Sequence, residues 1–271
     1  VKMDYKIHEA KIKKDLTPAK RYSFLVGSQE KSHTAQSRLV PIIEDDRNNP
    51  TLKQLEEAFN IEKVTREFFE KYRDLFIRLK ESLDGVVEKN KKIRTDFDSK
   101  NIDTASFAKK LLGQIVFLYF LQKKGWFGVE RDLPWGSGPK NFLRVLFDKQ
   151  IVSYKNFFND ILEPLFYEAL AKKRDHDFYS KLNCKIPFLN GGLFDPISDY
   201  DWVFTDILID NELFSNDFRT KEGDRGNGIL DVFDRYNFTV REDEPLEKEV
   251  AVDPEMLGKV FENLLEVKDR K

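Results

Sequence analysis

Glu9-Ala-Lys11 is the tripeptide in this chain whose residue types and spacing suit metal-dependent hydrolysis. On a strand, a Glu-X-Lys presents a carboxylate ligand beside a lysine that can stabilise an attacking water. Such a site also needs an aspartate from a preceding strand, and only Asp4 lies upstream, on the same short segment. Glu9 and Lys11 therefore do not complete a nuclease centre by themselves. Three-residue matches recur by chance in so charged a chain, and the plainer reading is an exposed strand edge.

Other chemistries have less to stand on. One cysteine, Cys184, and three scattered histidines, His8, His33 and His176, offer no pair at metal-ligand spacing. Cys184 reads as a small buried side chain. Gly136-Ser-Gly138 and Gly223-Asp-Arg-Gly-Asn-Gly228 contain glycines, but neither follows a clear strand nor ends in the Gly-Lys-Ser/Thr of a phosphate loop. Both read as turns. A dinucleotide or S-adenosylmethionine glycine fingerprint and an Asn-Pro-Pro-aromatic tetrapeptide are missing from the sequence. No catalytic residue, metal or cofactor is expected within these 271 residues.

Basic clusters are the remaining lead. The chain has 46 Lys/Arg against 48 Asp/Glu, unevenly spread: residues 1–194 hold 36 basic and 27 acidic residues, residues 195–271 hold 10 and 21. Lys11, Lys13, Lys14, Lys20 and Arg21 form one cluster; Lys89, Lys91, Lys92 and Arg94 form another. Facing duplex DNA, either would add salt-sensitive phosphate contacts that carry no sequence information. The alternative for each is a solvated loop.

The elements that must position these groups follow from periodicity. Residues 1–50 have short β-like runs at 5–12 and 21–26, punctuated by Pro18, Gly27 and the polar stretch 45–50. They read as the tail of an N-terminal α/β, nuclease-like unit. From Thr51 to Leu79 apolar residues recur at steps of three and four, predicting one long amphipathic helix or two bent near Asn60. Residues 85–95 read as an exposed loop. A second helix is expected from Thr104 as N-cap to Lys124, apolar almost all round at 111–121 and hence the buried centre of a bundle. Residues 134–139 read as a loop, followed by helices over 141–147 and 154–173. Asp253-Pro254 reads as an N-cap and first helical residue. The 24 Phe against 2 Met predict a rigid aromatic core. The expected fold is mainly α: a helical, bundle-like domain over 51–271 with a small α/β remnant over 1–50.

The longest apolar run, residues 115–121, is far short of a membrane span. The chain opens without a hydrophobic signal run, and its lone cysteine fits a reducing compartment, so a cytoplasmic protein is expected. It starts without methionine and stops at Asp269-Arg-Lys271 just after a helical pattern. It is expected to be a piece of a longer polypeptide.

Several stretches, taken in order, resemble a known family. They are Ala19-Lys-Arg-Tyr-Ser-Phe-Leu-Val-Gly27, His33-Thr-Ala-Gln-Ser-Arg-Leu-Val-Pro41, residues 59–72, Phe117-Leu-Tyr-Phe-Leu-Gln-Lys-Lys-Gly-Trp126, Phe188-Leu-Asn-Gly-Gly-Leu-Phe194, and residues 238–266 with Leu257-Gly-Lys-Val-Phe-Glu-Asn-Leu-Leu265. The chain resembles the region upstream of the catalytic core in type IIG restriction-modification enzymes and related adenine-specific DNA methyltransferases. The resemblance implies a helical connector between an N-terminal nuclease-like part and a methyltransferase core, in a parent that binds double-stranded DNA, S-adenosylmethionine and magnesium. Adenine must leave the stack to be methylated, so a rigid body beside the core would help hold the duplex. None of the family's catalytic residues falls on a position of this chain.

Three functions therefore stand side by side: a non-catalytic, DNA-contacting scaffold of a restriction-modification methyltransferase; part of a nuclease using Glu9 and Lys11; and a helical protein-interaction module that never meets nucleic acid. Asn190, within the double-glycine turn, reads as structural first and as a base or core contact second.

Overall fold

The computed structural model describes residues 3–8, 11–16, 21–28, 30–189, 192–221, 223–239, 247–249 and 251–252; for 3–8, 11–16 and 247–249 it describes the backbone. The architecture is mainly α, as the periodicity predicts. Two units divide the chain, one made of Val1–Glu67 with Arg235–Lys271, the other of Phe68–Asp234.

In the first unit, β1 (Met3–His8) and β2 (Lys11–Leu16) form an antiparallel hairpin in which His8 pairs with Lys11 and Lys6 with Lys13. The short β3 (Arg21–Ser23) runs parallel to β6 (Glu247–Glu249). Helix α1 (His33–Ile43) follows, a helix that the β-like reading of residues 1–50 omits. Its apolar stripe is interrupted: Thr34, Ala35 and Arg38 are its buried positions. Arg38 is stabilised there by Glu67, 2.6 Å away. Asn237 stitches the unit across 206 residues, accepting from the Lys31 amide at 2.7 Å and donating to the Lys31 and Leu25 carbonyls.

The bend near Asn60 is real. Helix α2 (Leu52–Ala58) starts at Thr51, whose hydroxyl accepts from the Gln54 amide while the Gln54 side chain accepts from the Thr51 amide. Helix α3 (Ile61–Lys89) then restarts beyond Asn60, and the division between the units falls within it.

The second unit is built around α5 (Thr104–Lys124), buried at twelve positions from Ala105 to Gln122. Its N-cap is Asp103, one residue before the expected Thr104: the carboxylate accepts from the Ser106 amide at 2.8 Å. Gly125, at φ 69°, closes its end. Residues 85–95 are helical rather than a loop. Gly85 is accommodated inside α3, and α4 (Lys91–Ser99) begins one residue after α3 ends. The reason is tertiary, because α4 buries Ile93 and Phe97 against the core.

Helix α6 (Phe142–Phe147) and the π-helical turns Phe158–Leu162 and Leu165–Leu170 complete the expected helices of this region. The latter pair widens around Pro164, whose missing N–H interrupts the regular ladder. Strands β4 (Phe178–Tyr179) and β5 (Cys184–Lys185) form a small hairpin, and α7 (Ile229–Phe233) ends the unit. The core is aromatic: the twelve largest fully buried side chains are ten Phe and two Tyr, all in this unit. Phe233 is its hub, 5.8 Å from Phe68, 6.0 Å from Tyr72 and 5.4 Å from Tyr119.

Candidate nucleic-acid interface

The junction of α3 and α4 positions the second basic cluster. Asn90 caps α4, its side-chain oxygen accepting from the Lys92 amide at 3.0 Å and the Ile93 amide at 3.4 Å. With Ile93 and Phe97 turned into the core, Lys89, Lys91, Lys92 and Arg94 are left exposed. Two of the four have structural duties. Arg94 turns back on α3 and donates to the Val87 and Glu88 carbonyls, satisfying acceptors that a helix end leaves open. Lys92 donates to the carbonyl of Phe204. The ammonium groups of Lys89 and Lys91 have no ion pair or hydrogen bond among the described residues.

Lys91, Lys92, Thr95, Asp96 and Ser99 line one wall of an open groove, with Asp201, Phe204 and Thr205 opposite. Two of the lining residues are acids. Asp96 pairs with Lys100 at 2.9 Å, and Asp201 accepts from the Phe204 amide at 3.4 Å. The groove thus carries two lysines and two aspartates, with Lys91, Lys92 and Asp201 exposed.

The first cluster is spread along the first unit. Lys11, Lys13 and Lys14 lie in β2, and Arg21 is exposed in β3. Lys20 lies outside the described residues, as do Glu9, Asn190 and the helix expected after Asp253.

A second groove in unit two escapes sequence reading. Arg131 lies 4.0 Å over the Phe178 ring, and Lys185 lies 5.2 Å over Trp135 while donating to the Leu133 carbonyl. Arg174 is spent on structure, donating to the carbonyls of Ala169, Lys172 and Ile186. Asp132, Asp175 and Asp177 line the same groove. Three carboxylates thus stand among its four cations, Arg131, Lys173, Arg174 and Lys185.

The buried polar groups serve the fold. Tyr119 donates to Asp234 at 2.9 Å; Arg144 bridges Asp234 at 2.8 Å, Asp231 at 3.0 Å and the Ser215 hydroxyl at 2.7 Å. Burial pushes the Cys184 thiol up to about 12, with nearby Arg174 pulling the other way, so it does not form a nucleophilic thiolate near neutral pH. Among the described residues, no group of three or more His, Cys, Asp or Glu is placed to hold a metal ion. In the loop ending at Gly228, a Cβ at Gly226 would collide with Asp231, and one at Gly228 with the Phe214 backbone, 2.5 Å away, whereas one at Gly223 would meet open space. Gly226 and Gly228 thus allow close packing against Asp231 and Phe214.

No known protein-family description matches the chain, and no solved structure matches it. A curated relative from Methanocaldococcus jannaschii, named "Putative type II restriction enzyme and methyltransferase", is 26% identical over 229 residues. The match covers 76% of this chain and 17% of that protein. No described helix is long and apolar enough to cross a membrane.

Proposed function

We propose that this chain is a non-catalytic scaffold, and a DNA-contacting region, of a restriction-modification enzyme of the adenine-methylating type IIG class. The alignment with the archaeal restriction enzyme and methyltransferase carries the reading, because it extends over 76% of the chain rather than over one motif. The aromatic core supports the scaffold role, since buried rings fill the second unit with few rotatable bonds. The exposed cations at the α3–α4 junction support the DNA contact.

In this reading S-adenosylmethionine and magnesium are bound by other parts of the parent polypeptide. The nuclease alternative through Glu9 and Lys11 gains no support from the described residues.

The test is fluorescence anisotropy with a labelled duplex across a salt series. The 271-residue chain should bind, with affinity falling steeply as salt rises. Reversing Lys89, Lys91 and Lys92 to Glu should weaken binding to every sequence alike. Incubation with S-adenosylmethionine and DNA should give no methylation above background. Absence of duplex binding would remove the DNA contact, and methyl transfer by this chain would remove the scaffold.

A further inference from the structure

Between the buried anchors Phe194 and Thr205, residues 195–204 lie over the second unit and bury one side chain, Tyr200. Trp202 is half-buried, and Val203 and Phe204 face solvent. The backbone hydrogen bonds described for this segment close within it. The Asp199 amide donates to the Pro196 carbonyl, Tyr200 to Ile197, Trp202 to Tyr200 and Phe204 to Asp201. Among the described residues none reaches a neighbouring element, so side chains must tie the segment down.

Its backbone is also strained. Ser198 at φ 47° and Asp199 at φ 52° sit side by side in the left-handed region, which disfavours residues that carry a Cβ. Such strain persists only where surrounding contacts enforce it. Lys100 donates to the Asp199 carbonyl at 2.8 Å and Lys92 to the Phe204 carbonyl. Both bonds lie at the exposed surface, where water competes for the same groups. The buried tie is Tyr200. Its ring packs 5.5 Å from Phe107, 6.4 Å from Phe97 and 5.7 Å from Tyr167, and its hydroxyl donates to Oε1 of Glu163 at 2.5 Å.

Glu163 is itself buried, and its Oε2 has no hydrogen-bond partner. The groups described around it are Asp160 on its own segment, Tyr167 on the next turn with Gln114 of α5 beside it, Tyr200, and Asp206 just beyond the segment. None of them is a cation. An ionised Glu163 is therefore badly placed beneath the closed segment and well placed once water reaches it.

We propose that residues 195–204 are a strap that opens as a unit while the rest of the second unit stays folded, with the Tyr200–Glu163 hydrogen bond as its latch and rising pH as its release. Opening uncovers the rings of Phe97 and Phe107 and frees Lys92 and Lys100. Burial pushes the Glu163 carboxyl up to about 9, and access to water returns it toward 4.5. The closed strap thus holds a proton that the open one releases. Closure is favoured on the acid side and loses ground as pH rises between those values.

The test is hydrogen exchange of the 271-residue chain, read by mass spectrometry on peptides from 195–206 and from α5 and corrected for the intrinsic effect of pH. The strap should exchange faster than α5 throughout, and its opening constant should rise about tenfold per unit from pH 6 to 8. Glu163→Gln keeps an acceptor for Tyr200 and should flatten that rise. Tyr200→Phe keeps the ring and loses the bond, and should raise opening at pH 6 about tenfold. A cooperative thermal transition verifies that both variants fold. A strap that exchanges only when α5 does, a pH rise that survives Glu163→Gln, or a Tyr200→Phe variant indistinguishable from wild type would each overturn the latch.

Discussion

Tyr200 donates its phenolic proton to Oε1 of Glu163 at 2.5 Å, joining the base of the exposed 201–204 turn to the middle of the π-helical segment. Both residues are 1% exposed, and the same phenol lies 3.2 Å from the Tyr167 hydroxyl. The other carboxyl oxygen, Oε2, has no hydrogen-bond partner. A charged carboxylate with one lone acceptor unsatisfied would be costly there. Burial accordingly pushes the Glu163 carboxyl up to about 9; the Tyr200 hydrogen bond opposes this, and Asp206 and Asp160 add to it.

A pH dependence follows. Unfolded, Glu163 titrates near 4.5; folded, near 9. Between those values the folded chain holds a proton that the unfolded chain has released, so this group makes stability fall as pH rises, by up to about 1.4 kcal/mol per pH unit. Glu163→Gln keeps the shape and an acceptor for Tyr200 and removes the titration. Urea unfolding from pH 5 to 9 should show a flatter profile for the variant and a higher midpoint above neutral pH. Parallel profiles would refute the assignment.

Arg144 is the sole cation bonded to both Asp231 and Asp234 among the described salt bridges, and the Asp231 side chain is only 8% exposed. Removing one partner of a buried pair typically costs about 3–5 kcal/mol because the other charge stays behind. Arg144→Leu should lower the denaturant midpoint by an amount of that order. Arg144→Lys should recover only part, since one ammonium cannot reproduce the guanidinium's separate bonds to Asp231, Asp234 and Ser215.

Cys184 should resist modification. The thiol is buried and held largely protonated, so a disulfide reagent at pH 8 should label the native chain slowly and the urea-unfolded chain at the rate of a free thiol. Fast native labelling would mean that the β4–β5 hairpin opens readily.

Gly128 lies at φ 70°, and a Cβ there would collide with the Phe142 ring. Phe142 packs 4.7 Å from Phe127 in the core. Gly128→Ala therefore adds both backbone strain and overpacking, and should destabilise by about 1–3 kcal/mol in a denaturation series. Gly85→Ala is the control. It sits inside α3 with open space at its Cβ position, and should be neutral or stabilising by up to about 1 kcal/mol.

Much of the helical order was legible in the residues themselves. The break at Asn60, the all-round apolar α5, α6 and the aromatic core follow from side-chain period and composition, which are local properties of a chain. The candidate cations at 89–94 were legible as a cluster for the same reason. Their setting was not. The density of Lys and Arg around Gly85 reads as a loop, and only the burial of Ile93 and Phe97 turns residues 91–99 into a helix.

Likewise α1 hides behind β-like neighbours because two of its buried positions are polar, one of them paired with Glu67. Glu163 falls inside the helical pattern of 154–173, and only packing encloses it. Phe204 meets Lys92 across 112 residues of sequence, a distance over which no periodicity speaks. Local pattern decided which segments would be helices and where charge would gather. Tertiary packing decided which cations were spent on carbonyls, which carboxyl lost its charge, and which apolar side chains were left facing water, because each of those depends on neighbours that only the folded chain brings together.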